Sequence, residues 1–311
     1  MDSLQKLIFS FREEPTLEKA SLLDKRGFLS APGEDLAAYQ KRVLESEKRI
    51  RNFMDALEKE KVLEPYCGLL LSRDGVIDRS ILQEVAPVTE EAYGFSVDWV
   101  PGFYPEKGLG FLWGGCSIDG YEEIPPLFMI RKSFRTKKRF FIYSREELTA
   151  HELCHVARNP IGDRSYEEHF AYAISKSAFR RYTGNCFKTE KDALFFLLPV
   201  FLLLIFRIAQ AGGYLLRVPS WPFLLLVVLW PAWLLWNNYR ARKVYFRAEN
   251  GLKRFTDHPG AVLFRCTGEE IISLGNSAAD PEKVKEFLAG KKDSDLRWQI
   301  IFRRFIKAGS I

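Results

Sequence analysis

The chain has 311 residues, of which 47% are hydrophobic and 28% are charged, a composition typical of a folded globular protein and not of a disordered one. The formal net charge is +6, and the cationic residues do not form a patch interleaved with aromatic residues, so nucleic acid is not an expected partner. The five cysteines never form a C-x-x-C pair, which argues against a disulfide framework or a zinc ribbon and favours a reducing compartment.

The first 61 residues are expected to form a helical region. The opening MDSLQKLIFSFREEP has only a brief apolar patch before charges resume, so it does not resemble a secretory signal. Residues 34 to 64 place apolar side chains at spacings near three and four. This pattern predicts one long amphipathic packing helix that Pro65 ends.

Glycine, proline and aromatic residues dominate from Tyr66 to Tyr143. This texture predicts short strands joined by long loops. The segment RFFIYS, residues 139 to 144, is predicted to be a strand that leads directly into the next helix.

That helix is predicted from Arg145 to Ala157. Ser144 and Glu147 form the S-x-x-E pattern of a capping box at its start, and Asn159-Pro160 ends it. The helix contains TAHELCHVARN, residues 149 to 159, which includes the motif H-E-x-x-H.

The motif predicts a metal site because His151 and His155, four residues apart, lie on one face of a helix. Glu152 lies about 100° round the helix axis and can reach a water molecule at the metal. Neutral imidazoles suit Zn²⁺, and a catalytic zinc site needs three protein ligands with one position left open.

A third ligand is expected in SYEEHFAYAISKSAFRRY, residues 165 to 182, which is predicted to be the next helix. Ser165 and Glu168 repeat the capping-box pattern. Glu167 and Glu168 lie about 100° apart on a helix, so only one of them can face the ion held by the two histidines. Tyr172, four residues after Glu168, is a candidate for stabilising an oxyanion, with packing as the alternative role.

The pair HELCH and EEHFAYA resembles the gluzincin metallopeptidases. The second piece is similar to the N-E-G-F-A element in which membrane aminopeptidases carry their third zinc ligand, and Glu168, Phe170 and Ala171 match positions of that element. The resemblance covers about 30 residues. It implies that His151, His155 and Glu168 bind Zn²⁺ in a compact gluzincin-like domain over residues 62 to 190, and that the site hydrolyses peptide bonds in a peptide or protein substrate.

The resemblance has two departures. Only twelve residues separate His155 from Glu168, fewer than in the aminopeptidases, and the G-x-M-E-N element that binds the substrate amine has no counterpart around Gly108 to Gly115. Aminopeptidase specificity is therefore not implied.

A closed structural zinc site is the alternative, with Cys154 and either Cys186 or His169 joining the two motif histidines. In that case the protein would be a non-catalytic membrane-tethered scaffold or pseudoenzyme. The preferred expectation is that Cys154 faces the core as a small hydrophobic side chain and that His169 lies at the surface or behind the ligands.

Two apolar segments predict a transmembrane helical hairpin over residues 193 to 239. Residues 193 to 216 are long enough to span a bilayer and carry a single charge, Arg207. Residues 221 to 236 are uncharged but short for a span, and need neighbouring residues to complete one. Two buried helices of a soluble protein are one alternative, and tryptophans at the ends of the second segment favour the lipid bilayer. A shallow re-entrant hairpin is the other, since Pro199, Pro222 and Pro231 would kink the helices.

Cationic residues flank the hairpin and predict its orientation. Before and after it the sequence has Arg180, Arg181, Lys188, Lys191, Arg240, Arg242, Lys243 and Arg247. The connecting loop has only Arg217, so both termini and the catalytic domain are expected to face the cytoplasm.

Residues 244 to 311 are expected to form a small, mostly helical C-terminal module. Asp280 followed by Pro281 predicts a helix start, and the basic amphipathic segment DLRWQIIFRRFI either packs on the domain or rests on anionic lipid. The expected fold class is α+β, with an N-terminal helical region at 1 to 61 and the metallopeptidase domain at 62 to 190.

Overall fold

A computed structural model describes residues 3–66, 68–107, 114–140, 143–186 and 190–311. Most of these residues are helical, and small sheets are confined to the first half of the chain, in agreement with the α+β class. Within the described ranges the α-helices are α1 Ser3–Glu13, α2 Leu17–Lys25, α3 Leu36–Glu60, α4 Arg79–Tyr93, α5 Arg145–Arg158, α6 Glu167–Ala173, α7 Ala178–Thr183, α8 Glu190–Ala211, α9 Trp221–Leu252, α10 Pro259–Phe264, α11 Gly268–Ser277, α12 Pro281–Lys291 and α13 Leu296–Phe305. The strands are β1 Val62–Tyr66, β2 Leu69–Ser72, β3 Gly102–Phe103, β4 Gly115–Ile118, β5 Leu127–Ile130, β6 Arg139–Phe140 and β7 Tyr143–Ser144.

The long helix α3 forms as predicted but ends earlier than expected. Asp35 caps its start, since the Asp35 carboxylate accepts a hydrogen bond from the Ala38 backbone N–H at 2.8 Å. It ends at Lys61, whose φ of 67° turns the chain out of the helix. Pro65 lies in strand β1 and does not end the helix, so that prediction was wrong.

Helix α4 falls in the region that was predicted to contain only strands and loops. Its buried face is formed by Ile81, Leu82, Val85, Thr89 and Tyr93, at helical spacing. The sequence interpretation missed it because Pro87 lies inside the helix, where proline removes a backbone hydrogen bond and normally predicts a break.

A three-stranded sheet with the order β3-β5-β4 supports the helix that carries the motif. Strand β5 is buried along its whole length and lies at the centre of the sheet. It pairs parallel with β3 and antiparallel with β4, so β4 lies at an edge. RFFIYS is not one strand as predicted: Arg139 pairs with Ser144 and Phe140 with Tyr143, so β6 and β7 run antiparallel to each other. Phe141 and Ile142 lie outside the described residues.

One large core crosses the boundaries expected between domains. It joins Phe128 of β5, Leu153 of α5 and Phe170 of α6 to Tyr245 of α9 and Phe264 of α10. The core thus includes residues of the predicted C-terminal module at 244 to 311. The segment DLRWQIIFRRFI packs on the domain as helix α13, where Trp298 and Ile301 are fully buried.

The N-terminal helices α1 to α3 form a second cluster, and a buried ion pair fastens it to the large core. The Asp24 carboxylate of α2 accepts hydrogen bonds from Arg265 Nε at 3.0 and 3.1 Å and also pairs with Arg304 of α13. Asp24 and Arg265 are each 1% exposed.

Replacing Asp24 by alanine is expected to destabilise the protein by about 3–5 kcal/mol, because two guanidinium groups would stay in the core without a counter-charge. Chemical unfolding of the detergent-solubilised full chain, followed by circular dichroism, measures the change. As a control, Glu45→Ala removes the solvent-exposed pair with Lys41 and should change stability by less than about 1 kcal/mol. Equal unfolding midpoints for the two variants would contradict the role given to Asp24.

Helices α8 and α9 form a hairpin whose side chains are mostly exposed. The Phe206 and Phe223 rings stack at 4.5 Å, and the Phe195 and Trp230 rings lie 5.4 Å apart. The later residue of α8 thus pairs with the earlier residue of α9. The helices are therefore antiparallel. Leu194–Ala211 and Trp221–Leu252 are long and apolar enough to cross a membrane, and their side chains are mostly not buried by the rest of the protein. Since α9 continues unbroken beyond residue 236, its length no longer limits a span.

Candidate metal centre

Helix α5 carries the motif and starts at the predicted cap. Ser144 Oγ accepts a hydrogen bond from the Glu147 backbone N–H at 3.1 Å. The carboxylate of Glu147 does not complete a capping box. It accepts hydrogen bonds from the Lys176 backbone N–H and from Arg180, each at 2.8 Å, and so ties α5 to the chain after α6.

The two motif histidines lie one turn apart on α5, as predicted. Their Nε2 atoms are 3.1 Å apart, and both side chains are 12% exposed. Helical periodicity therefore brings two ring nitrogens to a single point.

Helix α6 brings Glu168 to the same point. Glu168 Oε1 lies 3.5 Å from His155 Nε2, and Oε2 lies 3.8 Å from His151 Nε2. The helix is held in place from the core side, because Tyr93 Oη donates to the Phe170 carbonyl at 2.7 Å and the Arg158 guanidinium lies 4.6 Å from the Phe170 ring centre.

The single helix predicted over residues 165 to 182 is wrong in its start and its length. Helix α6 begins at Glu167 and ends at Ala173, and α7 is separate. Ser165 does not cap it: Tyr166 occupies the cap position without a side-chain hydrogen bond. Instead, the Asp163 carboxylate accepts a hydrogen bond from the Ser165 backbone N–H at 2.7 Å. This bond forms an Asx turn, which orients the chain before the helix.

The donor set, two imidazoles and one carboxylate, is of the type that binds zinc. Zinc–ligand bonds of about 2.0–2.1 Å place tetrahedral ligands about 3.3 Å from one another. The Nε2 atoms of His151 and His155 are 3.1 Å apart, and they lie 3.8 and 3.5 Å from different oxygens of Glu168. With one oxygen of Glu168 as the ligand atom, the three atoms lie within 4.8 Å of one another. Among the described residues these three form the one group of metal-binding type, which leaves a fourth position for a water or a substrate.

Glu167 contacts the back of His155 instead of the shared point. Its Oε1 lies 3.0 Å from His155 Nδ1, so the ring can donate from Nδ1 and present the Nε2 lone pair. The adjacent carboxylates Glu167 and Glu168 therefore have different positions, as expected for residues about 100° apart on a helix.

Glu152 lies in the same pocket as the three candidate ligands. The pocket has a volume of about 300 Å³, and strand β4 forms its other side with Gly115, Cys116 and Ser117. A Cβ atom on residue 115 would lie 3.0 Å from Glu152 Oε1 and 2.7 Å from the Met129 carbonyl. Glycine at this position thus lets the strand approach the carboxylate closely. Sequence reasoning missed the role of β4, for which the pair Gly114-Gly115 was the available signal.

Burial and neighbouring charges shift the pKa values of the site. Burial raises the pKa of Glu152 to about 8, and burial together with the charge of His155 lowers the pKa of His151 well below its usual value. Burial also acts to lower the pKa of His155, but the hydrogen bond to Glu167 and the charges of Glu168 and Glu152 outweigh it and raise that pKa to about 9. The same negative charges that favour a proton on His155 would favour a metal cation there instead.

Tyr172 packs against the site. Its ring lies 4.6 Å from the His151 ring in an edge-to-face arrangement, and it occupies space that a side chain on Gly184 would fill. Burial raises the pKa of the Tyr172 hydroxyl to about 12, so it stays protonated and able to donate a hydrogen bond. The ring contact is the packing role considered for Tyr172, and oxyanion stabilisation stays a prediction.

The residues of the structural-zinc alternative are not part of the described ligand group. Cys154 is 1% exposed and lies in the large core, as a small hydrophobic side chain would. His169 is 4% exposed and its ring centre lies 4.2 Å from that of Tyr245 in a tilted arrangement. Of the two positions expected for His169, the one at the surface was wrong. Neither joins His151, His155 and Glu168 in the described part of the chain.

The arrangement of two imidazoles and one carboxylate, with a second buried carboxylate beside them, is chemically suited to a metal ion and a proton-transfer group. Comparison with known proteins adds no family assignment to this geometry. No protein-family model matches the chain, and no curated protein and no solved structure matches it significantly.

Proposed function

We propose that the chain is a membrane-anchored, zinc-dependent metallopeptidase that hydrolyses peptide bonds. The observation that carries this proposal is the meeting of His151 and His155 of α5 with Glu168 of α6 in a pocket that also contains Glu152. A bound zinc ion would supply Lewis-acid chemistry, lowering the pKa of a water and polarising a carbonyl.

The protein's own side chains would orient a zinc ligand and transfer the proton. Glu167 holds His155 in the tautomer that presents Nε2. Glu152 is the group that accepts a proton as water attacks a carbonyl and then returns it to the leaving amine. Without a bound cation, burial raises the pKa of Glu152 to about 8, and a cation nearby would lower it, which would leave the carboxylate ionised and able to accept a proton near neutral pH.

The edge strand β4 supports a peptide as the substrate. Among the described residues β4 pairs only with β5, and Gly115, Cys116 and Ser117 of β4 line the pocket that contains Glu152. An extended peptide can pair with such an edge through backbone hydrogen bonds, which would present its carbonyl groups to the site.

Removing the metal tests the proposal. The detergent-solubilised protein is expected to contain about one zinc per chain and to cleave peptides in a broad mixture. A chelator should abolish cleavage, and one equivalent of zinc should restore it. His151→Ala should abolish both zinc binding and cleavage, whereas His258→Ala, which changes an exposed histidine outside the site, should leave both unchanged. Cleavage that survives complete removal of metal would contradict the proposal.

The proposed placement has α8 and α9 spanning the membrane with both termini in the cytoplasm, since cationic residues flank the hairpin and Arg217 is the single charge of its loop. The native Cys154 and Cys266 are unsuitable reporters because both are buried. A cysteine introduced by Leu216→Cys in the exposed loop is expected to react with a membrane-impermeant thiol reagent on intact cells, and one introduced by Lys285→Cys on α12 should react only after permeabilisation. The opposite pattern would invert the orientation.

A further inference from the structure

A groove beside α9, the second apolar helix, has no role in the proposed metallopeptidase reaction. It lies between α7 and α9 and has a volume of about 470 Å³. Its lining combines aromatic and cationic side chains: Tyr182, Tyr239, Arg242, Lys243, Phe246 and Arg247. Among the described residues that line it, none is acidic.

The α9 side of the groove is one continuous helix face. Tyr239, Arg242, Lys243 and Phe246 follow at spacings of three and four, so their side chains project in the same direction. The face is also preorganised: the Arg242 guanidinium lies 5.3 Å from both the Tyr182 and the Phe246 ring centres and donates a hydrogen bond to the Arg181 carbonyl at 2.7 Å.

The position of the groove along α9 matches the headgroup layer of a bilayer. At 1.5 Å per residue, a hydrocarbon core of about 30 Å takes about 20 residues, which counts from Trp221 to about residue 240. Tyr239 then lies at the interface, where aromatic residues are favoured. The Arg242 and Lys243 backbones lie about 3–5 Å beyond it, within the headgroup layer, and that of Arg247 lies about 10 Å beyond it, from where a long arginine side chain can reach back to the headgroups.

We infer that this groove binds the headgroup of an anionic phospholipid. Cationic side chains supply charge complementarity to the phosphate, and the aromatic rings line the boundary with the acyl chains. The inference rests on the membrane placement proposed above, and it adds a lipid-binding site to that placement.

The test uses the full chain in detergent and two short-chain lipid probes with identical acyl chains, phosphatidylglycerol and phosphatidylcholine. Phosphatidylglycerol is expected to bind at least tenfold more tightly. Lys243→Gln and Arg247→Gln should each weaken its binding by about fivefold, the contribution typical of one cation near an anionic headgroup.

Arg240→Gln is the matched control. Arg240 is an exposed cation on the same helix and lies nearer the hydrocarbon core than Arg247, but it does not line the groove. Its replacement should change binding by less than twofold. An equal loss in Arg240→Gln and Arg247→Gln, or equal binding of the two lipids, would overturn the inference in favour of unspecific attraction.

Two further measurements separate the remaining explanations. Inorganic phosphate should not compete at millimolar concentration; competition with the same dependence on the variants would assign the groove to a free anion. Flotation of the protein with pure phosphatidylcholine vesicles tests the membrane placement alone. Flotation without selective binding of phosphatidylglycerol would reject the groove and leave the placement standing, whereas failure to float would reject both.

Discussion

Replacing Glu152 by glutamine is expected to lower the rate of peptide hydrolysis by about 10²–10⁴-fold while zinc stays at about one per chain. The amide keeps the size of the carboxylate but cannot accept a proton from water. Zinc should remain because the ligand group consists of His151, His155 and Glu168, and does not include Glu152.

Zinc content and cleavage rate, measured on the same preparation, check this expectation. Glu146→Gln is the control: Glu146 lies in the first turn of α5 and pairs with Lys176 near the surface, so its replacement should leave both values unchanged. Loss of zinc from Glu152→Gln would mean that Glu152 is a ligand, and unchanged hydrolysis would remove it from the mechanism.

The second large effect is expected at Glu168. Glu168→Ala removes one of the three proposed ligands, and the two remaining histidines should not hold zinc against a mild chelator, so the variant should be metal-free and inactive. Glu167→Ala should stay metallated, with affinity or activity reduced by about 10–100-fold, because Glu167 acts through its 3.0 Å contact with His155 Nδ1.

Zinc measured before and after dialysis against a mild chelator distinguishes the two carboxylates. Glu167→Gln is informative as a rescue, since the amide oxygen can still accept a hydrogen bond from Nδ1, and it should retain more zinc than Glu167→Ala. If Glu167→Ala lost zinc and Glu168→Ala kept it, the ligand assignment would have to be reversed.

Features that depend on local periodicity could be predicted from the sequence. The 3.6-residue turn places His151 and His155 together on any helix, and the cap at Ser144 forms within four residues of chain. The apolar character of the two hairpin segments depends on composition alone, whereas the continuation of α9 to Leu252 was not predicted. These relations require no contact with the rest of the fold.

Features that depend on packing between distant segments could not be predicted from the sequence. The strand β4 reaches Glu152 because β5 positions it in the sheet, and Glu168 reaches the histidines because Tyr93 holds α6 from a helix about 75 residues earlier. The resemblance selected Glu168 over Glu167, and the separation of about 100° between the two side chains follows because both lie on α6, which begins at Glu167.

The same distinction applies to the expected domain boundaries, which the large core crosses. Composition changes along the chain indicate where segments begin, but apolar faces are buried wherever a complementary face is available. The apolar face of α9 beyond the proposed membrane segment, with Tyr245, Ala248 and Leu252, packs into the core that contains α5 and α6. Helix α9 thereby links the hairpin to the candidate metal centre, because burial of that face is more favourable than its exposure to water.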